Sequence, residues 1–122
     1  MKNKLNPINS DFSIHTFRGG FDNNFSYIIT CLRTGYEIII DAAIELDKLQ
    51  TFLKSIPSAL FLTHTHHDHI QYIDKYLENF PNINIIGHPT SENIFDSNRF
   101  IPVNDNTTIK IGELEILSIH TP

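Results

Sequence analysis

The stretch Thr63-His64-Thr65-His66-His67-Asp68-His69 places four imidazoles and one carboxylate within seven residues. In extended backbone, residues i and i+2 point to the same side. His64 and His66 can therefore offer two ring nitrogens to one point while Thr65 faces away. Asp68 and His69 follow as the chain turns, and can serve the same ion from another angle or a second ion close by. Imidazole and carboxylate donors suit Zn²⁺, with Fe or Mn²⁺ as alternatives, better than they suit a soft-metal thiolate site. A single histidine is ordinarily a surface residue or a satisfied core residue. Four together repel one another when protonated and each need a partner when buried, and a bound cation resolves both problems. Because the run is internal and broken by Thr and Asp, it does not read as an artificial tag.

The flanking residues say what must position this cluster. Ala59-Leu60-Phe61-Leu62 leads in as a buried strand, and Ile70, Ile73, Leu77 and Phe80 lead out on one face of a helix. The cluster thus sits where a strand ends and a helix begins, the place where sheet-based proteins gather ligands.

The 122 residues make one ordinary domain, and 40% hydrophobic with 19% charged residues describes a folded globular chain. The formal net charge of −5, with no basic run, argues against a nucleic-acid partner. No apolar run approaches the roughly 20 residues of a membrane span, and no secretion signal follows the charged N-terminus. The single cysteine, Cys31, excludes an intramolecular disulfide and fits a reducing, cytoplasmic location. It lies in an apolar strand and reads as a core residue rather than a nucleophile.

Taken in order, residues 1–11 form a polar lead-in. Phe12–Phe17 alternates as a strand with one buried face and with His15 on the exposed side. Phe25–Leu32 and Tyr36–Ile40 pair as an antiparallel hairpin, and Asp41 ends the second strand, where it can cap the helix that follows. Residues 43–55 are amphipathic and are stopped by Pro57. After the strand at 58–62, the histidine cluster and the next helix, Pro81 precedes a strand at Ile83–Gly87, with His88 at its end. Residues 90–96 can form a short helix, and Phe100–Asp105 a loop or short strand. Residues 107–111 and 113–119 alternate around Gly112 as a hairpin. Strand–helix–strand alternation from 36 to 86 implies a sheet with helices packed on a face.

His64-x-His66-x-Asp68-His69 resembles the metal-binding signature of the metallo-β-lactamase-fold hydrolases, and Asp22–Ile29 followed by Ile40-Asp41 resembles the opening strands of its glyoxalase II-like thioesterase branch. Gln71 and Tyr72 stand where many members have glycines. The resemblance implies an α+β fold, half of an αββα sandwich with a mixed sheet and helices on its outer face. It implies that His64 and His66 bind a first metal ion, and that Asp68 and His69 bind a second where two are present. His67 becomes a spacer, and Asp41 lies near the metal and helps order it. The implied activity is attack of a metal-generated hydroxide on an ester or thioester carbonyl of a small molecule, with zinc (one or two ions) as cofactor and Asp68 orienting the hydroxide.

In that family the last strand continues into Gly-His, whose histidine completes the first metal's ligands. Here the sequence reads Ile119-His120-Thr121-Pro122, so His120 precedes that position and is not assigned to the metal. Residues 1–122 are accordingly expected to form the N-terminal part of a metallo-β-lactamase-like domain. The open sheet face would then meet a missing C-terminal half or a second copy in a dimer. Rival readings are a mononuclear-iron persulfide dioxygenase-like member and a non-catalytic metal-binding or interaction module. A β-lactamase would want a secretion signal, and an RNA-processing nuclease a basic face.

Overall fold

The structure is a computed structural model, and it describes residues 12–20, 24–63, 70–91, 95, 98–111 and 113–117. The lead-in, the cluster at 64–69 and residues 118–122, His120 among them, lie outside the described residues. Six strands form one sheet in chain order: β1 (Phe12–Gly19), β2 (Asn24–Cys31), β3 (Glu37–Ile40), β4 (Ala59–Phe61), β5 (Asn84–Gly87) and β6 (Phe100–Pro102). The first two pairings are antiparallel and the next three parallel, so the sheet is mixed. The parallel pairings need crossovers, and the crossovers from β3 to β4 and from β4 to β5 carry helices α1 (Leu46–Gln50) and α2 (Ile73–Asn79). A separate hairpin, β7 (Thr108–Ile111) with β8 (Leu114–Leu117), forms a second sheet. Among the described residues, no helix is long and apolar enough to cross a membrane.

The pleat divides the core in two. Ile28, Ile39, Leu60 and Ile85 point to the helices and pack with Leu46, Leu49, Ile73 and Tyr76. On the other face, Ile38, Ala59 and Ile86 meet Val103 and the hairpin residues Ile109, Ile111 and Ile116. The expectation of a wholly open inner face is therefore corrected, because β7–β8 covers its parallel end. At the antiparallel end, Ile14 and Phe25 stay 45% and 43% exposed. β1 shows the same effect as an edge strand. It runs to Gly19, and neither of its faces is closed.

Other boundaries differ for local reasons. The amphipathic run at 43–55 is helical only at Leu46–Gln50. Phe52 and Leu53 donate to carbonyls three residues back, a tightening turn, and then a buried carboxylate takes over. Glu37, 1% exposed, accepts the Lys54 and Ser55 N–H groups at 2.7 and 3.0 Å, the Ser55 hydroxyl at 3.2 Å and the Thr30 hydroxyl at 2.8 Å. The helix is thus unwound by a side chain that satisfies its last donors from the sheet. Asp41 does not cap α1: Glu45 occupies that position, and no side chain bonds the helix start. A 3₁₀ turn spans Pro89–Ser91, most of the rest of the short helix expected at 90–96 lies outside the described residues, and β6 makes a strand of only the first part of 100–105. Cys31 is wholly buried at the end of β2, as a core residue should be.

Tyr76 ties the helices together. Its ring is fully buried on α2 and its hydroxyl donates to the Ile44 carbonyl at 2.6 Å. Burial, with a smaller contribution from Asp47, holds the phenol well above its ordinary pKa of 10.0.

Two outcomes follow from these buried groups. Glu37→Ala leaves two part-buried N–H donors without their carboxylate and should cost about 2 kcal/mol in urea denaturation. Glu37→Gln keeps an acceptor for them and should cost less than half as much. For Tyr76, folding favours the neutral phenol. Its contribution is fully present below pH 10 and is lost as pH rises from 10 toward the raised folded value, at about 1 kcal/mol per pH unit. Tyr76→Phe should be less stable by about 1 kcal/mol at pH 7. The gap from the parent should close between pH 10 and 11 in the same denaturation assay.

Candidate metal centre

The C-terminal ends of β3, β4, β5 and β6 open on one end of the sheet. β3 stops at Ile40, and Asp41 takes the left-handed conformation with φ +65°. Such a backbone is uncommon for a residue with a Cβ, although aspartate tolerates it better than most. The turn aims the Asp41 side chain sideways at the end of β4. One carboxylate oxygen accepts the Thr63 N–H at 2.8 Å, and the other accepts the Thr63 hydroxyl at 2.6 Å. The Asp41 N–H donates to the Phe61 carbonyl at 2.8 Å, and the buried Ser26 hydroxyl donates to the Ile40 and Asp41 carbonyls. Asp41 is 2% exposed.

The other side of the cluster is tied to the same bend. The Tyr72 N–H donates to the Ala42 carbonyl at 3.1 Å. Thr63 and Tyr72 bracket residues 64–69, so the cluster enters and leaves through hydrogen bonds to Asp41 and Ala42. A third segment closes on this bend. Gly20 has φ +76°, and a Cβ there would overlap the Ala43 carbonyl oxygen. The turn after β1 therefore approaches the bend closely enough to require glycine.

His64, His66, Asp68 and His69 themselves, and His67 between them, lie outside the described residues. The surroundings fit a metal site by the chemistry of the donor set and by its placement. A buried carboxylate fixes Thr63, just beyond the end of a parallel strand, and in the sequence four imidazoles and a carboxylate follow it. Among the described residues, no group of three or more His, Cys, Asp or Glu could hold an ion elsewhere. His88 is exposed at the end of β5. Its Nδ1 lies 2.9 Å from the Thr90 hydroxyl and accepts the Thr90 N–H at 3.2 Å, so that ring nitrogen caps the 3₁₀ turn. His15 is exposed as expected, but it stacks on Phe17 and Phe52, with ring centroids 4.7 and 4.4 Å away. Thr63 as the partner of Asp41 was not legible in the sequence as a pair, since 22 positions separate them.

Comparison with solved structures decides the fold. The chain superposes with a TM-score of 0.76 on a metallo-β-lactamase from Staphylococcus aureus, at 23% identity, covering 93% of this chain and 34% of that one. It superposes with a TM-score of 0.73 on the B3 metallo-β-lactamase BLEG-1, at 22% identity and 62% of that chain. The chain has the metallo-β-lactamase fold. Two curated proteins agree. A protein of Schizosaccharomyces pombe named as a probable hydroxyacylglutathione hydrolase is 30% identical over 109 residues, 84% of this chain and 41% of that protein. The Bacillus subtilis protein PksB, named as a probable polyketide biosynthesis zinc-dependent hydrolase, is 27% identical over 94% of this chain and 54% of its own length. The chain thus spans about half the length of these relatives. No family model matches it. Both of these relatives are named as hydrolases, and the Bacillus subtilis one as zinc-dependent.

The Asp41–Thr63 pair predicts a specific energetic pattern. Asp41→Ala should cost about 3 kcal/mol, because it removes two hydrogen bonds to a charged acceptor. Asp41→Asn keeps an acceptor in a residue that tolerates positive φ and should cost about 1 kcal/mol. Thr63→Val should cost about 1.5 kcal/mol. In Asp41→Ala, the further loss from Thr63→Val should fall close to zero, and additive losses in this double-mutant cycle would show that the two side chains do not act as a unit.

Proposed function

We propose that the chain is the metal-holding, N-terminal part of a zinc-dependent hydrolase that cleaves a thioester-type carbonyl of a small molecule. The observation that carries this reading is the Asp41–Thr63 bond, which pins the start of the His64-x-His66-x-Asp68-His69 run at the end of a parallel strand in a metallo-β-lactamase fold. The names of the relatives supply the substrate class: hydroxyacylglutathione in the yeast protein, and zinc dependence in the Bacillus one.

His64 and His66 would hold a first ion, and Asp68 and His69 a second where two are bound. When bound, the ion lowers the pKa of a water toward neutrality and polarises the carbonyl that the water attacks. The Asp68 carboxylate orients that water. Asp41 holds the run in place from behind through Thr63, as partners of metal-ligand segments commonly do. The single cysteine, buried in the sheet, fits a cytoplasmic setting. A second reading, a non-catalytic metal-binding module that meets a partner or a second copy, is favoured by the half-exposed Ile14, Phe25 and Ile101 on the inner sheet face.

Metal content by elemental analysis after dialysis against metal-free buffer tests the ligand assignment. The parent chain should retain about one zinc or more, and His66→Ala should retain none. Equal zinc in the two would overturn the assignment of His66. Zinc retention without hydrolysis of any thioester in a panel would favour the module over the enzyme.

A further inference from the structure

The inner face of the six-stranded sheet is uncharged except at one position. Alternation from the observed pairing assigns every second residue of β1–β6 to this face, and Arg18 alone among them carries a formal charge. Arg18 pairs in register with Phe25, and its guanidinium carbon lies 5.5 Å from the centre of the Phe25 ring. Phe25 in turn stacks on Tyr27, with centroids 6.3 Å apart and planes 17° from parallel. The exposed cation is therefore braced over the Phe25 ring, which Tyr27 backs in turn.

Its position along the sheet matters as much. Thr16, Tyr27, Ile40 and Phe61 stand opposite one another in successive strands. Arg18 and Phe25 form the next row, toward the end where Asp41 grips Thr63. Because the guanidinium leans over β2, it lies about two strand spacings, roughly 10 Å, from β4, whose continuation carries the histidine run. That separation suits a group on a small substrate a few bonds away from a reacting carbonyl. Of the other basic side chains of the described residues, Lys48 and Lys75 pair with Glu45 and Glu78, Arg33 pairs with Glu113, Arg99 donates to the Ile83 and Phe80 carbonyls, and Lys54 and Lys110 are exposed off the six-stranded sheet.

We infer that Arg18, braced on Phe25 at the metal-site end of the inner face, recognises a carboxylate on the thioester substrate. The inference rests on the hydrolase reading for its substrate and adds to it the residue that selects a substrate carboxylate. A planar guanidinium fixed over a ring presents its N–H fork to a carboxylate with little further ordering.

The test compares 3-(acetylthio)propanoate with its uncharged amide, 3-(acetylthio)propanamide. Binding to the 122-residue chain is followed by chemical-shift titration in parent, Arg18→Gln and Arg18→Lys proteins, with zinc content and hydrolysis measured alongside. The parent should bind the carboxylate about tenfold more tightly than the amide, and the preference should weaken with added salt. Arg18→Gln should abolish the preference with amide affinity and zinc content unchanged, and Arg18→Lys should restore part of it. A preference that survives in Arg18→Gln, or is absent from the parent, overturns the inference. So does an Arg18→Gln protein that keeps the preference but self-associates, since the charge would then only guard an edge strand. An Arg18-dependent preference in a chain that retains no zinc and hydrolyses neither probe would overturn the hydrolase reading and leave anion recognition standing.

Discussion

The carboxylate of Asp41 bridging to both donors of Thr63 is the constraint on which the geometry of the site end depends. It spans the ends of two parallel strands and does so from a left-handed backbone that the fold must hold in place. The Ser26 hydroxyl, the Phe61 carbonyl and the Ala43 carbonyl against Gly20 each fix one side of that bend. A backbone conformation that costs about 1 kcal/mol or more persists only where its surroundings over-determine it. Here the surroundings are three separate strands and the turn after β1. The donor-rich run that follows Thr63 thus starts from a point set by the sheet, before any ligand contributes.

The change of strand direction explains why that point lies where it does. β1–β3 run antiparallel and need only turns, whereas β3–β6 run parallel and need crossovers. β3 is the strand at which the sheet changes regime. Its C-terminal end opens on the same side as those of β1, β4, β5 and β6, and Asp41 is the first residue beyond it. Both helices pack on one face and leave the opposite face to the β7–β8 hairpin. The antiparallel end of that face, with Ile14, Phe25 and Arg18, stays open beside the site.

Much of this was legible because periodicity and turn chemistry agree. The β2–β3 hairpin, the strands around 59–61 and 84–87 and the β7–β8 hairpin follow from alternation bounded by Gly, Pro and Asn. The histidine run stood out in the sequence because no packing argument explains so many imidazoles together. Long-range side-chain bonds were not. Nothing local in residues 43–55 reveals that Glu37 will take the N–H groups of Lys54 and Ser55 and so shorten α1. Asp41 followed by an amphipathic run has the local form of a helix cap, and tertiary hydrogen bonding redirected it to Thr63. Tyr76 interrupts no pattern, yet it is the fully buried tie between α2 and the segment before α1.

These three side chains have a common logic. Glu37, Asp41 and Tyr76 are polar groups at 2% exposure or less, and each spends its hydrogen bonds on backbone or hydroxyl groups at the ends of elements rather than within them. Regular ladders satisfy the interior of a strand or helix automatically, but their ends leave donors and acceptors that must find partners. In a sheet joined by short helices, those ends are numerous and close together. A buried carboxylate accepts several donors at once, and two of them suffice to fix both ends of β3: Glu37 at its start and Asp41 just past its finish. The central strand is in this way anchored at the end away from the site by a group that shapes α1, and at the site end by a group that aims the histidine run.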